Sequence, residues 1–422
     1  MFQKIRFENG LRVIIIPQKN SRAVTVLALV GTGSKYEAKK TSGISHFLEH
    51  MYFKGTKKRS TALAVSEVMD KLGGVFNAFT AEEYTGYYAK VGASQFDAAL
   101  DWVSDIYLNS LLPQKEIEKE RKVIIEEINM YLDTPMLYMA ELWKSLLYGD
   151  QPAGRDVAGT KESIFRISRK ELFDYMNSQY VAKNTVVCVA GRFSVSEAKN
   201  KIRKYFSRIR TTDNRPKPVV LEKQEKPGLA VLFKKTDQTH LALGVRTFYH
   251  LFHPQKYSVS LLGIILGGMM SSRLFTEIRE KLGLAYYVKT SVEADTDTGF
   301  LVTSAGVDSL RADKAVSAIL KEYKKISEKR VSVSELKKAK ENFKGKLSLG
   351  LETSDAKAFF FAGQELLENK ILKPEDIFKK IDKISINDIL KVAKEIFRPE
   401  RLNLAVIGPV KDRRKFQKLL KL

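Results

Sequence analysis

Residues 167–191 read ISRKELFDYMNSQYVAKNTVVCVAG, and 217 positions further on residues 384–408 read ISINDILKVAKEIFRPERLNLAVIG. The two segments align without a gap. Identities are few, yet the parts come in the same order: an Ile-Ser helix cap, an amphipathic helix, a basic turn, a buried strand and a closing glycine. A charged helical segment follows each strand, at 195–209 and 411–420. Between the two copies, residues 210–228 (RTTDNRPKPVVLEKQEKPG) hold three prolines, many charges and no sustained period, which is the composition of an exposed linker. The expected organisation is therefore a domain at 1–209, a linker at 210–228 and a homologous domain at 229–422.

Within the first copy, strands come first. Residues 11–17 and 24–30 are β-branched and apolar between turn residues, and 76–91 continue in that style after Gly73-Gly74. Helical periodicity marks 43–52, 62–72, 93–108, 114–132, 135–148 and 169–179. This mixture predicts an α+β sandwich with helices packed on one face of a sheet, made twice.

Composition narrows the function. With 44% hydrophobic and 29% charged residues in 422, the chain is globular, and neither disordered nor fibrous. A net charge of +23 raises a polyanionic partner, but no RRM or helix-turn-helix pattern accompanies it, so no nucleic acid is expected. The charge is also uneven, −5 over residues 101–150 against +19 over 201–422. A single cysteine, Cys188, allows neither an intrachain disulfide nor a thiol-rich metal site. No signal-type apolar segment and no apolar run near 18 residues is present, which predicts a cytoplasmic protein with no membrane partner.

Two of the five histidines fall in Ser45-His46-Phe47-Leu48-Glu49-His50. At about 100° per residue, His46, Glu49 and His50 share one helical face, while Ile44, Phe47, Leu48 and Met51 share the other. Histidines at i and i+4 present two nitrogens to one ion, and imidazole with carboxylate suits tetrahedral Zn²⁺. His-x-x-Glu-His is the inverted zinc-protease helix motif. A third ligand is sought in the acidic helix at 116–133, where Glu120 and Glu127 lie on the stripe of Ile117, Ile124, Ile128 and Tyr131. An inward carboxylate needs a partner, and a metal is one; partly exposed charge is the plainer alternative. Glu126 stands four residues after Lys122 and reads as a solvated charge.

SGISHFLEHMYFKGT, GGVFNAFTAEEYTGYYAKV and EKERKVIIEEINMYLDTP together resemble the M16 metallopeptidases, the family of pitrilysin, insulin-degrading enzyme and the mitochondrial processing peptidase. The resemblance covers essentially the whole chain, and its length is similar to the short two-domain subfamily. It implies two homologous domains, each a mostly antiparallel sheet with helices packed on it. It further implies one Zn²⁺ per chain held by His46, His50 and Glu127, with Glu49 as general base and Glu120 as an assisting acid. Asn77, Ala78, Phe79 and Thr80 resemble the edge strand that pairs with an extended peptide, while the residues alone, a β segment after Gly73-Gly74, read equally as plain core. Arg279 and Tyr286 resemble the pair that reaches the substrate from the non-catalytic domain, Tyr286 as a donor to the developing oxyanion. The implied activity is zinc endopeptidase or oligopeptidase action on unfolded peptides in a chamber closed by two chains. An active homodimer is expected, with a heterodimer of M16 paralogues left open. The alternative is a non-catalytic scaffold subunit on the same fold, which predicts degraded ligands.

Overall fold

Both 25-residue segments fold as the repeat predicts. Helices Arg169–Gln179 and Ile386–Ile396 each open on a capping box, Ser168 with Glu171 and Ser385 with Asp388, and each leads into a fully buried strand. The computed structural model describes residues 2–422. Six strands form the first sheet: β1 (Gln3–Arg6), β2 (Arg12–Pro17), β3 (Ala23–Val30), β4 (Val75–Thr80), β5 (Thr85–Gly92) and β6 (Thr185–Gly191). Five form the second: β7 (Gly228–Phe233), β8 (Gln238–Thr247), β9 (Ala285–Ala294), β10 (Gly299–Asp308) and β11 (Leu402–Gly408). The orders are β1-β2-β6-β3-β5-β4 and β7-β11-β8-β10-β9, so the second sheet repeats the first without its outermost strand. One pair in each sheet is parallel, β2 with β6 and β7 with β11, and the rest are antiparallel. Residues 211–227 contain neither helix nor strand.

The chain forms two compact units. One comprises the chain up to Asn129 with Arg155–Pro218 and Leu349–Ile371; the other comprises Met130–Gly154, Val219–Ser348 and Leu372–Leu422. Each unit thus incorporates a helix from the other half of the sequence. In the first, helix Ser354–Glu368 lays Ala358, Phe361 and Ala362 on Ile14, Ile16, Leu27, Leu29, Val186 and Cys188. Its Glu365, fully buried, is anchored by Lys4 Nζ at 2.7 Å. In the second, helix Pro135–Tyr148 lays Met139, Trp143 and Leu147 on Ala242, Val302, Ala405 and Ile407.

One covered face per sheet was the expectation, whereas both are covered. On the other side of the first sheet, Val13, Ile15, Val26, Ala28, Val187 and Val189 join the main core with the helices of the first half. A sheet buried on both sides needs apolar residues at every position, which is why β2, β3 and β6 read as continuous apolar runs without alternation. The stretch 76–91 is two strands, joined by a turn of Ala81, Glu82, Glu83 and Tyr84 that contains no glycine, proline or asparagine. Among the described residues, no helix is long and apolar enough to cross a membrane.

Candidate active site

The site grows from an eight-residue helix, Ile44–Met51. Ile44, Phe47, Leu48 and Met51 are buried in the main core, which turns His46, Glu49 and His50 the other way. The chain enters through Gly43 at φ +90°, where a Cβ would lie 2.6 Å from the Ala158 carbonyl oxygen, so only glycine fits. Across from it runs the acidic helix Gln114–Asp133, which buries Ile117, Glu120, Arg121, Ile124 and Ile128. Arg121 fixes that helix by donating to the carbonyls of Ile164, Phe165 and Ile167.

These two helices bring three donors together. His46 Nε2 and His50 Nε2 are 3.3 Å apart, and Glu127 Oε2 is 3.6 Å from each. Two ligands about 2.0–2.1 Å from a tetrahedral ion stand roughly 3.3–3.4 Å apart, so the set fits Zn²⁺ in both chemistry and spacing. Among the described residues, His46, His50 and Glu127 are the group of His, Cys, Asp and Glu side chains close enough to share an ion.

Around the donors stand residues that orient them. Glu120 Oε2 lies 3.1 Å from His50 Nδ1, which donates to it and so leaves the Nε2 lone pair toward His46 and Glu127. Lys54 Nζ holds the other Glu120 oxygen at 2.7 Å. Burial opposes the charge on Glu120, but its bonds to His50 and Lys54 prevail and hold its carboxyl below the ordinary range. Thr80 Oγ1, at the end of β4, donates to Glu49 Oε2 at 2.5 Å. Burial nonetheless raises the Glu49 carboxyl above its usual value, against the pull of Thr80. Without an ion the imidazoles split: burial and the neighbouring His50 push His46 down to about 4. Although burial disfavours its charge, bonds to Glu120 and Glu127 lift His50 to about 9.

The remaining expected residues fall elsewhere. Asn77, Ala78 and Phe79 lie on β4, the edge of the first sheet, which is paired on one side only, to β5. Asn77 is exposed, Ala78 is buried, and Phe79 packs against Tyr84 and Phe359. In the second unit, Arg279 sits on a π-helical segment, Phe275–Lys281, and Tyr286 on β9 with 76% of its surface exposed. The Arg279 guanidinium is 4.9 Å from the Phe275 ring centre and 5.9 Å from that of Tyr286, so the two expected residues are neighbours. Glu126 is exposed. The sequence places Thr80 in the edge-strand stretch without linking it to Glu49, and it marks no role for Lys54. Lys54 follows His50 by four positions, a spacing that could have marked it; Thr80 reaches Glu49 only through the packing of strand on helix, which leaves no local signal.

Comparison with known proteins places this geometry. The profile described as "Insulinase (Peptidase family M16)" matches residues 12–161, and "Peptidase M16 inactive domain" matches residues 166–343. Similar relatives include the uncharacterized zinc protease YmxG of Bacillus subtilis, 34% identical over 97% of this chain and 98% of its own length. An uncharacterized zinc protease of Mycobacterium leprae is 33% identical over 98% of this chain and 93% of the relative. Among solved structures, a protease from Helicobacter pylori superposes with a TM-score of 0.89 at 24% identity, covering 97% of this chain and 99% of that one. An M16 inactive-domain peptidase structure from Pseudomonas fluorescens gives the same TM-score at 16% identity, over 97% and 98% of the two chains. These two structures bear on the fold.

Proposed function

This chain belongs to the M16 family of zinc metallopeptidases, and on that premise we propose that it cuts extended, unfolded peptides at the site built from the histidine and acidic helices. The observation that carries the reading is the convergence of His46, His50 and Glu127 with Glu49 beside them on the same helical face. His46, His50 and Glu127 hold one Zn²⁺. When bound, zinc supplies Lewis acidity toward a peptide carbonyl and a nucleophilic water at neutral pH. Glu49 takes the proton from the attacking water and returns it to the leaving amine. Thr80 fixes the Glu49 carboxylate for that transfer. Glu120 holds His50 in the tautomer that leaves Nε2 free, which makes it an orienting group for the donor set.

Support for an extended substrate comes from β4. Its outer edge has unpaired backbone groups, and a peptide added there gains main-chain hydrogen bonds with little demand on its sequence. Asn77, Ala78 and Phe79 line this docking strand. Two copies of the chain close the chamber. The test is digestion of a mixed peptide library, mapped by mass spectrometry with and without a chelator. Unfolded peptides are cut, chelator abolishes cutting, and added Zn²⁺ restores it; cleavage indifferent to chelator would overturn the reading.

A second expectation concerns Thr80. Thr80→Val removes a hydrogen bond to a charged group, worth about 1.5–3 kcal/mol, so kcat falls roughly 10- to 100-fold while zinc content is unchanged. Steady-state kinetics with metal analysis checks this, and a wild-type kcat would show that Thr80 does not hold the base.

A further inference from the structure

The helix that carries His46, Glu49 and His50 has a buried start and no cap of its own. The residue before it, Gly43, offers no side-chain acceptor, and Gly43, Ile44 and Ser45 are all buried. Buried amides at a helix start must find acceptors elsewhere. Glu37 provides them from outside the helix: Oε2 accepts the Gly43 N–H at 2.7 Å and Oε1 accepts the Ser45 N–H at 2.8 Å. Glu37 itself is 3% exposed.

We propose that Glu37 is a positioning residue of the metal site, its carboxylate fixing the first turn of the histidine helix and hence the angle at which His46, Glu49 and His50 face the acidic helix. This rests on the zinc-peptidase reading above. The rest of the turn is held just as closely. Ser45 Oγ and Tyr175 Oη are 2.7 Å apart, and Tyr175 Oη is 2.7 Å from Thr32 Oγ1. Arg155 Nη1 donates to the Glu37 backbone carbonyl at 3.3 Å. Gly159 packs so tightly under the turn that a Cβ there would stand 2.3 Å from the Ser42 carbonyl oxygen. His46, one residue beyond Ser45, therefore inherits its position from a corner with no slack.

Burial pushes the Glu37 carboxyl up to about 7, against the pull of its two amide partners, so its charge is costly in that place. Glutamine matches its shape without the charge. It has one acceptor oxygen, however, and would turn its NH₂ on the second amide. The change should therefore leave one buried amide without an acceptor, loosening the helix start and lowering stability modestly while the chain still folds.

The test compares Glu37→Gln and Glu37→Asp with wild type in the full-length protein, using Co²⁺ as the metal probe. Three quantities are read: the visible Co²⁺ spectrum, metal affinity by chelator competition, and kcat and KM on a quenched peptide, with thermal melting as the folding control. For Glu37→Gln we expect a folded protein with a modestly lowered melting point, shifted Co²⁺ bands, roughly tenfold weaker metal binding, and kcat down about tenfold at unchanged KM. Glu37→Asp, which keeps the charge, recovers part of the spectrum and the rate. Wild-type spectrum, affinity and kcat in a folded Gln variant overturn the proposal. So does a failure of both variants to fold, because Glu37 would then serve stability alone. A wild-type protein that binds Co²⁺ without cutting peptide sinks the peptidase reading instead, and the spectral comparison still decides the role of Glu37.

Discussion

Glu49→Gln cuts peptide hydrolysis by about a thousandfold and leaves the metal in place. Glutamine preserves the shape of Glu49 and still accepts the Thr80 hydroxyl through its amide oxygen, so the strand and helix keep their contact. What it cannot do is take a proton. General-base catalysis is typically worth 10²- to 10⁴-fold, so the rate on a quenched peptide should drop by about a thousandfold. Zinc per chain should not change, because the converging donors belong to His46, His50 and Glu127 and not to Glu49. Turnover and metal content measured on one preparation check both halves, and turnover near wild type would remove Glu49 from the mechanism.

The second large effect separates adjacent residues. Glu127→Gln is expected to weaken zinc binding by more than about 100-fold, since losing even an orienting partner of a ligand typically costs 10- to 100-fold. It removes the carboxylate 3.6 Å from both imidazoles and leaves a neutral amide, a poor ligand for the ion. Glu126→Gln changes nothing measurable: its side chain is exposed on another face of the helix and meets only Asn129 at 3.4 Å. Chelator-competition affinities for the two variants decide the matter. The opposite ranking would mean that the acidic helix is one residue out of register with the histidine helix.

Much of this site was legible because its determinants are local. The histidines and Glu49 lie within five residues on one helical face, and Glu120 and Glu127 stand out as carboxylates on an apolar stripe. Helices Pro135–Tyr148 and Arg169–Gln179 begin and end where their periodicity and caps place them. Spacing alone could not separate the positions of Glu120 and Glu127. One meets the Nδ1 side of His50 and the other its Nε2 side, a distinction that exists only once the two helices are packed. The turn between β4 and β5 escaped because Ala81, Glu82, Glu83 and Tyr84 are not turn-forming types. Glu37 and Thr80 reach the histidine helix from a loop and a strand, so no pattern within a window of the chain announces them. Neither Ser354–Glu368 nor Pro135–Tyr148 bears a local sign of the sheet it covers, since an apolar stripe of Ala and Phe, or of Met, Trp and Leu, fits either one.

That exchange of covering helices bears on the history of the chain. When a duplicated gene fuses, its copies can at first part again without harm. Here each copy has surrendered a cover and received one in return. Separating the halves would bare Ile14, Ile16, Leu27, Leu29, Val186 and Cys188 on the first sheet. At about 1.5–3 kcal/mol for each large side chain, the loss is on the order of 10 kcal/mol. A whole domain is typically stable by only about 5–15 kcal/mol. With the helices exchanged in this way, splitting the chain at its linker would bare a covered face on each of the two sheets.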